Sequence, residues 1–115
     1  MQHEDIIYIR HILDAAHKAI LFIQNRTRKE LESNEMLSLS LVRLLEIIGE
    51  AATSVSAGYR KEHPQIPWRK MTELRNRLIH GYFDINLDIV WDTIVTDLPP
   101  LIESLEKIIH QEETA

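Results

Sequence analysis

The sequence predicts an all-α fold, an up-and-down bundle of four or five helices in a single domain covering residues 1–115. Three observations carry this reading. Apolar residues recur at spacings of three and four over long stretches, the period of a helix with one buried face. Glycine and proline are scarce, at 3 and 4 residues of 115, whereas an all-β chain needs many turns. No segment carries a convincing strand pattern. Apolar residues make up 44% of the chain, enough for one core.

The first helix is expected over residues 4–24, with Ile6, Ile9, Leu13, Ala16, Ile20 and Ile23 on one face. The charged run from Arg26 to Glu32 breaks that pattern. Ser33 and Asn34 are good N-caps for a second helix, about Glu35 to Ser56, with Glu35 suiting the positive end of the helix dipole. Its apolar residues are spread so widely that it should be central, with neighbours on several sides. Gly49, Ala51 and Ala52 are small enough to let one of them approach closely. HPQIP, residues 63–67, is a break. Pro67 suits the first position of a third helix, where its missing N–H costs nothing. That helix should run to about His80, with Gly81 as its stop. Asn86 caps the last helix, which Pro99 and Pro100 must kink or split, because proline removes a helical hydrogen bond.

The chain has no cysteine, so disulfides and thiolate metal sites are excluded and a reducing compartment is expected. Glu4 and Asp5 stand where a secretory leader would be basic, and no apolar run approaches the ~20 residues of a membrane span. A soluble, cytoplasmic protein is expected. The net charge is −5, but it is unevenly spread. Tyr59 to Tyr82 holds six Lys/Arg against two Asp/Glu, and the remainder seven against sixteen. A basic segment on an acidic body would hold a polyanion; it would equally serve as a solvated helix face.

RNRLIHGY, residues 75–82, concentrates the chemistry. On a helix spanning residues 67–80, Met71, Leu74 and Leu78 form the core stripe, and Asn76 and His80 share the opposite face. Arg75 and His80 then lie about 140° apart, at about 100° per residue, and cannot easily grip one atom. Either the helix ends before His80, or two copies of the chain pair and each supplies part of one site. Arginine's planar fork suits phosphate, and histidine moves protons near neutrality. No carboxylate in the stretch would hold a metal. Arg plus His at a phosphodiester therefore points to RNA cleavage by its own 2′-hydroxyl, with histidine in proton transfer and arginine stabilising the anionic phosphorus centre. The plainer alternative is two surface side chains near a helix end.

His3, His11, His17, His63, His80 and His110 form no i, i+4 pair and no zinc-type motif, so neither a metal nor another cofactor is expected. Glu46 and Glu50 are i and i+4 on the apolar second helix; one is expected to face solvent or pair with an arginine such as Arg43. Trp68 and Trp91 read as core or interface anchors.

R-N-R-L-I-H-G-Y resembles the R-x-x-x-x-H-x-Y signature of the HepT toxins, in the HEPN superfamily. LLEIIGEAA at residues 44–52, the IPW before the motif and GYFDINLDIVWDTI from Gly81 onward resemble that family too, so the likeness covers nearly the whole chain. The resemblance implies an all-α ribonuclease toxin of a type VII HEPN/MNT toxin–antitoxin system, cutting RNA without a metal at a site built across a homodimer. It implies catalytic roles for Arg75 and His80, with Asn76 and Arg77 in support. It also implies that Tyr82 receives AMP from a partner antitoxin, an MntA-like nucleotidyltransferase, alone with the dimer or within a larger toxin–antitoxin hetero-oligomer. Tyr82 would otherwise be a packed aromatic. A competing reading keeps the cleft but not the cutting: a nucleotide- or RNA-binding helical partner of the nucleotidyltransferase.

Overall fold

The computed structural model describes residues 3–80 and 84–114, and of His3, Ile79 and His80 the backbone only. The fold is an all-α bundle, as the periodicity predicts. Two long helices open it: α1 (His3–Phe22) and, after the short α2 (Glu30–Ser33), α3 (Glu35–Ser54). They run antiparallel, since Asp5 at the start of α1 meets Ser56 just past the end of α3. The chain then returns through α4 (Ala57–Glu62), α5 (Trp68–Thr72) and α6 (Leu74–Leu78). A two-residue strand pair follows, β1 (Ile79–His80) with β2 (Asp84–Ile85), antiparallel with Ile79 opposite Ile85. The last arm is α7 (Leu87–Asp92), a wide π turn (Thr93–Asp97) and α8 (Leu98–Thr114). Among the described residues no helix is long and apolar enough to cross a membrane.

The buried stripe of α1 is Ile9, Ile12, Ala15, Ala16 and Ala19, with Ile6, Leu13, Ile20 and Ile23 at its edges. The stripe read from the sequence is therefore offset slightly around the helix. α3 is central as expected: Leu37, Leu41, Leu45, Ile48 and Ala52 are buried on one side, and Val42, Leu44 and Ala51 on others. Each such leucine or isoleucine contributes roughly 1.5–3 kcal/mol by leaving water. Gly49 does the work its size suggests. A Cβ there would lie 2.9 Å from the Met71 carbonyl oxygen, so α3 and α5 touch backbone to backbone.

Caps set the boundaries. Asn34, not Ser33, caps α3, accepting from Leu37 N at 3.0 Å. Asn86 caps α7, accepting from Ile89 N at 3.1 Å. α3 ends two residues early because Ser56 begins a helix of its own: its Oγ accepts from Tyr59 N while the same hydroxyl and the Ser56 N–H donate to Asp5, each at 2.8 Å. Asp5 is buried, so these two charge-assisted bonds replace its water. Tyr59 packs its ring on His63 and edge-on against Trp68. Its hydroxyl is buried with no partner among the described residues. Burial, reinforced by the charges of Glu112, Asp5 and Glu62, pushes its pKa up to about 12.

The Pro-Pro kink takes the form of the π turn. Pro99 and Pro100 have no N–H for the carbonyls of Val95 and Thr96. The chain widens just before them, and Leu98 N–H reaches back five residues to Thr93 O. Lys70 Nζ pairs with Asp97 at 3.0 Å, which fastens α5 to this turn.

Candidate functional site

The motif lies on the returning arm, pressed against α3. Trp68 is buried and anchors its start, its indole N–H donating to His63 O at 2.9 Å. Pro67 stands one position before the first helical residue rather than at it. Met71, Leu74 and Leu78 are buried, as the predicted core stripe requires.

The single helix expected over residues 67–80 is corrected in two places. It is interrupted at Glu73, whose φ of −93° and ψ of 1° depart from helical values. It also ends at Leu78, and Ile79 and His80 are extended. The reason is local: Leu78 O accepts from Asn86 N at 2.7 Å, closing the base of a hairpin in place of continuing the helix. The i, i+4 face drawn for Asn76 and His80 therefore does not exist. The other option, a helix ending before His80, holds. The geometric bar to Arg75 and His80 serving one atom falls with it, since it assumed a continuous helix. Of His80 the backbone alone is described. The expectations for Gly81 as a helix stop and for Tyr82 lie outside the described residues.

Arg75 is exposed on α6, 76% of its side chain reaching solvent, and its Nε lies 3.7 Å from Glu46 Oε2 on α3. Asn76 beside it is exposed. Arg77 is not brought to the same place. Two residues on, it points about 200° away around the helix. It is half-buried and lines a groove with Pro67, Trp68, Arg69, Lys70 and Glu73. One of its terminal nitrogens, Nη1, is buried without a partner among the described residues.

The local positive charge is smaller at the surface than the residue count suggests. Arg60 Nε donates to Val55 O at 3.1 Å, capping the end of α3. Arg69 pairs with Glu73 at 3.1 Å, and Lys70 with Asp97. Among the described residues no three His, Asp or Glu side chains converge as metal ligands would.

The residue that sequence reasoning underrated is Glu46. Arg43 pairs with one of the two acids, as anticipated: it takes Glu50, at 3.1 Å, and Glu46 faces Arg75. The signal was present, a pair of acids on an apolar helix. Only the fold shows which of the two meets the motif.

A family model described as "Ribonuclease HepT-like" matches residues 12–108. The chain belongs to the HepT-like ribonuclease family. The "Probable ribonuclease HepT" of Thermococcus cleftensis is 32% identical over 106 residues, covering 92% of this chain and 94% of that relative. A relative from Caldanaerobacter subterraneus subsp. tengcongensis named "Putative RNase" is 32% identical, over 92% of this chain and 95% of its own. Another of that name, from Methanocaldococcus jannaschii, is 34% identical, over 92% and 88%. No solved structure matches the chain. The matched span contains the whole HepT-like motif, Arg75 to Tyr82, and Glu46 as well.

Proposed function

We propose that this HepT-like protein is an endoribonuclease toxin of a toxin–antitoxin pair, cutting RNA without a metal at a site that two copies of the chain complete. The observation that carries the reading is Arg75: a largely exposed cation, with Glu46 at its Nε edge, on a helix that stops three residues later, so that His80 belongs to a separate element. In the reaction the 2′-hydroxyl attacks its own phosphorus and the bond to the 5′-oxygen breaks. The products are a 2′,3′-cyclic phosphate and a 5′-hydroxyl end. His80 serves in proton transfer, taking the 2′-hydroxyl proton or giving one to the departing oxygen. Arg75 stabilises the charge gathered on the phosphoryl oxygens, and Asn76 beside it supports RNA binding; Arg77, expected to join them, faces a different groove and takes no part in this step. DNA lacks the attacking hydroxyl and survives.

In the same reading Tyr82 is the point of control. An MntA-like nucleotidyltransferase would move AMP from ATP onto its hydroxyl, releasing pyrophosphate. The added bulk and negative charge would then oppose an incoming RNA phosphate.

The test is RNA cleavage with chelator present, comparing wild type and His80→Ala after intact mass has shown whether the wild type carries AMP. Cleavage by unmodified wild type and none by a folded, dimeric His80→Ala is the expected result. Equal cleavage by both removes His80 from the chemistry. A dimeric, unmodified wild type that binds RNA or nucleotide and cuts nothing would favour the non-catalytic partner instead.

A further inference from the structure

We propose that Glu46 is the positioning residue of this site, holding the Arg75 guanidinium by its Nε edge so that both terminal nitrogens face the phosphate. The inference rests on the nuclease reading of Arg75 given above.

Four features of the geometry lead to it. First, α3 and the returning arm run antiparallel: Gly49 faces Met71, and one turn back along α3 Glu46 faces Arg75. The backbone contact at Gly49 fixes the height of one helix against the other, and so the height of the carboxylate against the guanidinium. Second, the neighbouring acid is engaged elsewhere. Glu50 pairs with Arg43 in solvent, with side-chain exposures of 63% and 59%. Glu46 is only 20% exposed, and the arginine it meets is Arg75.

Third, the contact is made at one edge. Arginine carries five N–H groups, one on Nε and four on the two Nη atoms. Glu46 approaches Nε, at 3.7 Å, too long for a hydrogen bond. The carboxylate therefore biases the direction of the guanidinium without occupying a donor. The four terminal N–H groups stay available for two phosphoryl oxygens in the planar fork that suits them. Fourth, Arg75 needs such a restraint. Its side chain is long and 76% exposed, and a mobile arginine seldom presents its fork in the one orientation that matches the transition state.

A nearby carboxylate also repels RNA phosphate, and a mere counter-ion would do only that. The two roles predict opposite signs. A positioning residue, once removed, lowers kcat. A competing counter-ion, once removed, raises kcat/KM.

The experiment measures kcat and KM on a cleavable RNA for Glu46→Ala, Glu46→Gln and Glu46→Asp, each also in the Arg75→Ala background. Size and thermal unfolding first establish that every variant is folded and in the wild-type assembly. Glu46→Ala and Glu46→Gln should lower kcat by about ten- to a hundredfold, the upper figure being the scale of a catalytic group misplaced by ~1 Å, with KM unchanged or lower. Glu46→Asp, which keeps the charge on a shorter arm, should recover part of the loss. With Arg75 gone the same changes should do nothing further, because Glu46 acts through it. Wild-type kcat in a folded Glu46→Ala, a rise in kcat/KM, or an equal loss in the Arg75→Ala background would overturn the positioning role and leave the nuclease reading standing. An inactive wild type, or a fully active Arg75→Ala, would overturn both.

Discussion

Replacing Gly49 by alanine sets two physical effects against each other. Gly49 lies within α3, where alanine is favoured over glycine by roughly 0.8–1 kcal/mol. On helix propensity alone the variant gains stability. The added Cβ, however, would lie 2.9 Å from the Met71 carbonyl oxygen. That oxygen is backbone and cannot rotate away. Moving it means moving α5, which is pinned at its start by the Trp68 indole on His63 O and at its middle by Lys70 on Asp97. Overpacking of this kind typically costs about 1–3 kcal/mol, and the pinning places the cost in the upper half of that range. Subtracting the propensity gain leaves a net loss of about 1–2 kcal/mol. At roughly 4 °C per kcal/mol for a domain of this size, Tm should fall by about 4–8 °C. The assay is thermal and urea unfolding followed by far-UV circular dichroism. Gly58→Ala is the control: a Cβ there meets nothing within 4 Å, so that variant should match or exceed wild type. A Gly49→Ala protein with unchanged or raised Tm would refute the backbone contact and, with it, the geometry that aligns Glu46 with Arg75.

Two further outcomes follow from the junction of α1 and α4. Ser56→Ala removes both the cap on Tyr59 N and a donor to Asp5, and should cost about 1–2 kcal/mol in urea unfolding. Its effect should not add to that of Asp5→Ala, and strict additivity would show that the two do not act together. Tyr59 should make the fold sensitive to alkali. Its pKa is about 12 in the folded chain, against about 10 for an exposed tyrosine. The raised folded value means that this contribution is intact below about pH 10 and is lost as pH rises toward 12. The loss amounts to about 2–3 kcal/mol, following 1.36 kcal/mol per unit. Tyr59→Phe removes a buried hydroxyl that has no partner among the described residues, so it should not destabilise the protein at pH 7 and should flatten that decline. A steep fall persisting in Tyr59→Phe would assign the alkaline sensitivity to another group.

The parts of the fold written in periodicity were readable from the chain. α1 and α3 announce themselves by apolar spacing, and Asn34 and Asn86 by capping chemistry. The small-residue contact at Gly49 was readable too, because only close approach rewards glycine inside a helix. The features that escaped depend on competition between local options. Ser56 looked like the tail of one helix, and it heads another because Asp5, fifty-one residues away, fixes its hydroxyl. The helix over residues 67–80 had the right period to its end, but Leu78 O pairs with Asn86 N, and periodicity contains no information about that partner. At the candidate site Arg75 and Asn76 were legible because the motif is contiguous. Arg77 belongs to the same eight residues yet faces another groove, since neighbours two apart on a helix diverge. Glu46 was visible as an acid on an apolar helix, and its partner was not, because pairing across two helices is a property of the packing.

The π turn carries a consequence for how this chain can vary. A helix advances about 100° per residue, so losing or gaining one residue between Asn86 and Pro99 would rotate α7 against α8 by that angle. Val90 and Ile94 before α8, and Leu98, Leu101 and Leu105 on it, are all buried, so one group or the other would swing into water. The segment should therefore accept many changes of side chain, as at exposed Val95, and almost none of length. Its length would act as a phase setting for the whole last arm. Through Lys70 and Asp97 that setting reaches α5, the element that leads into the motif.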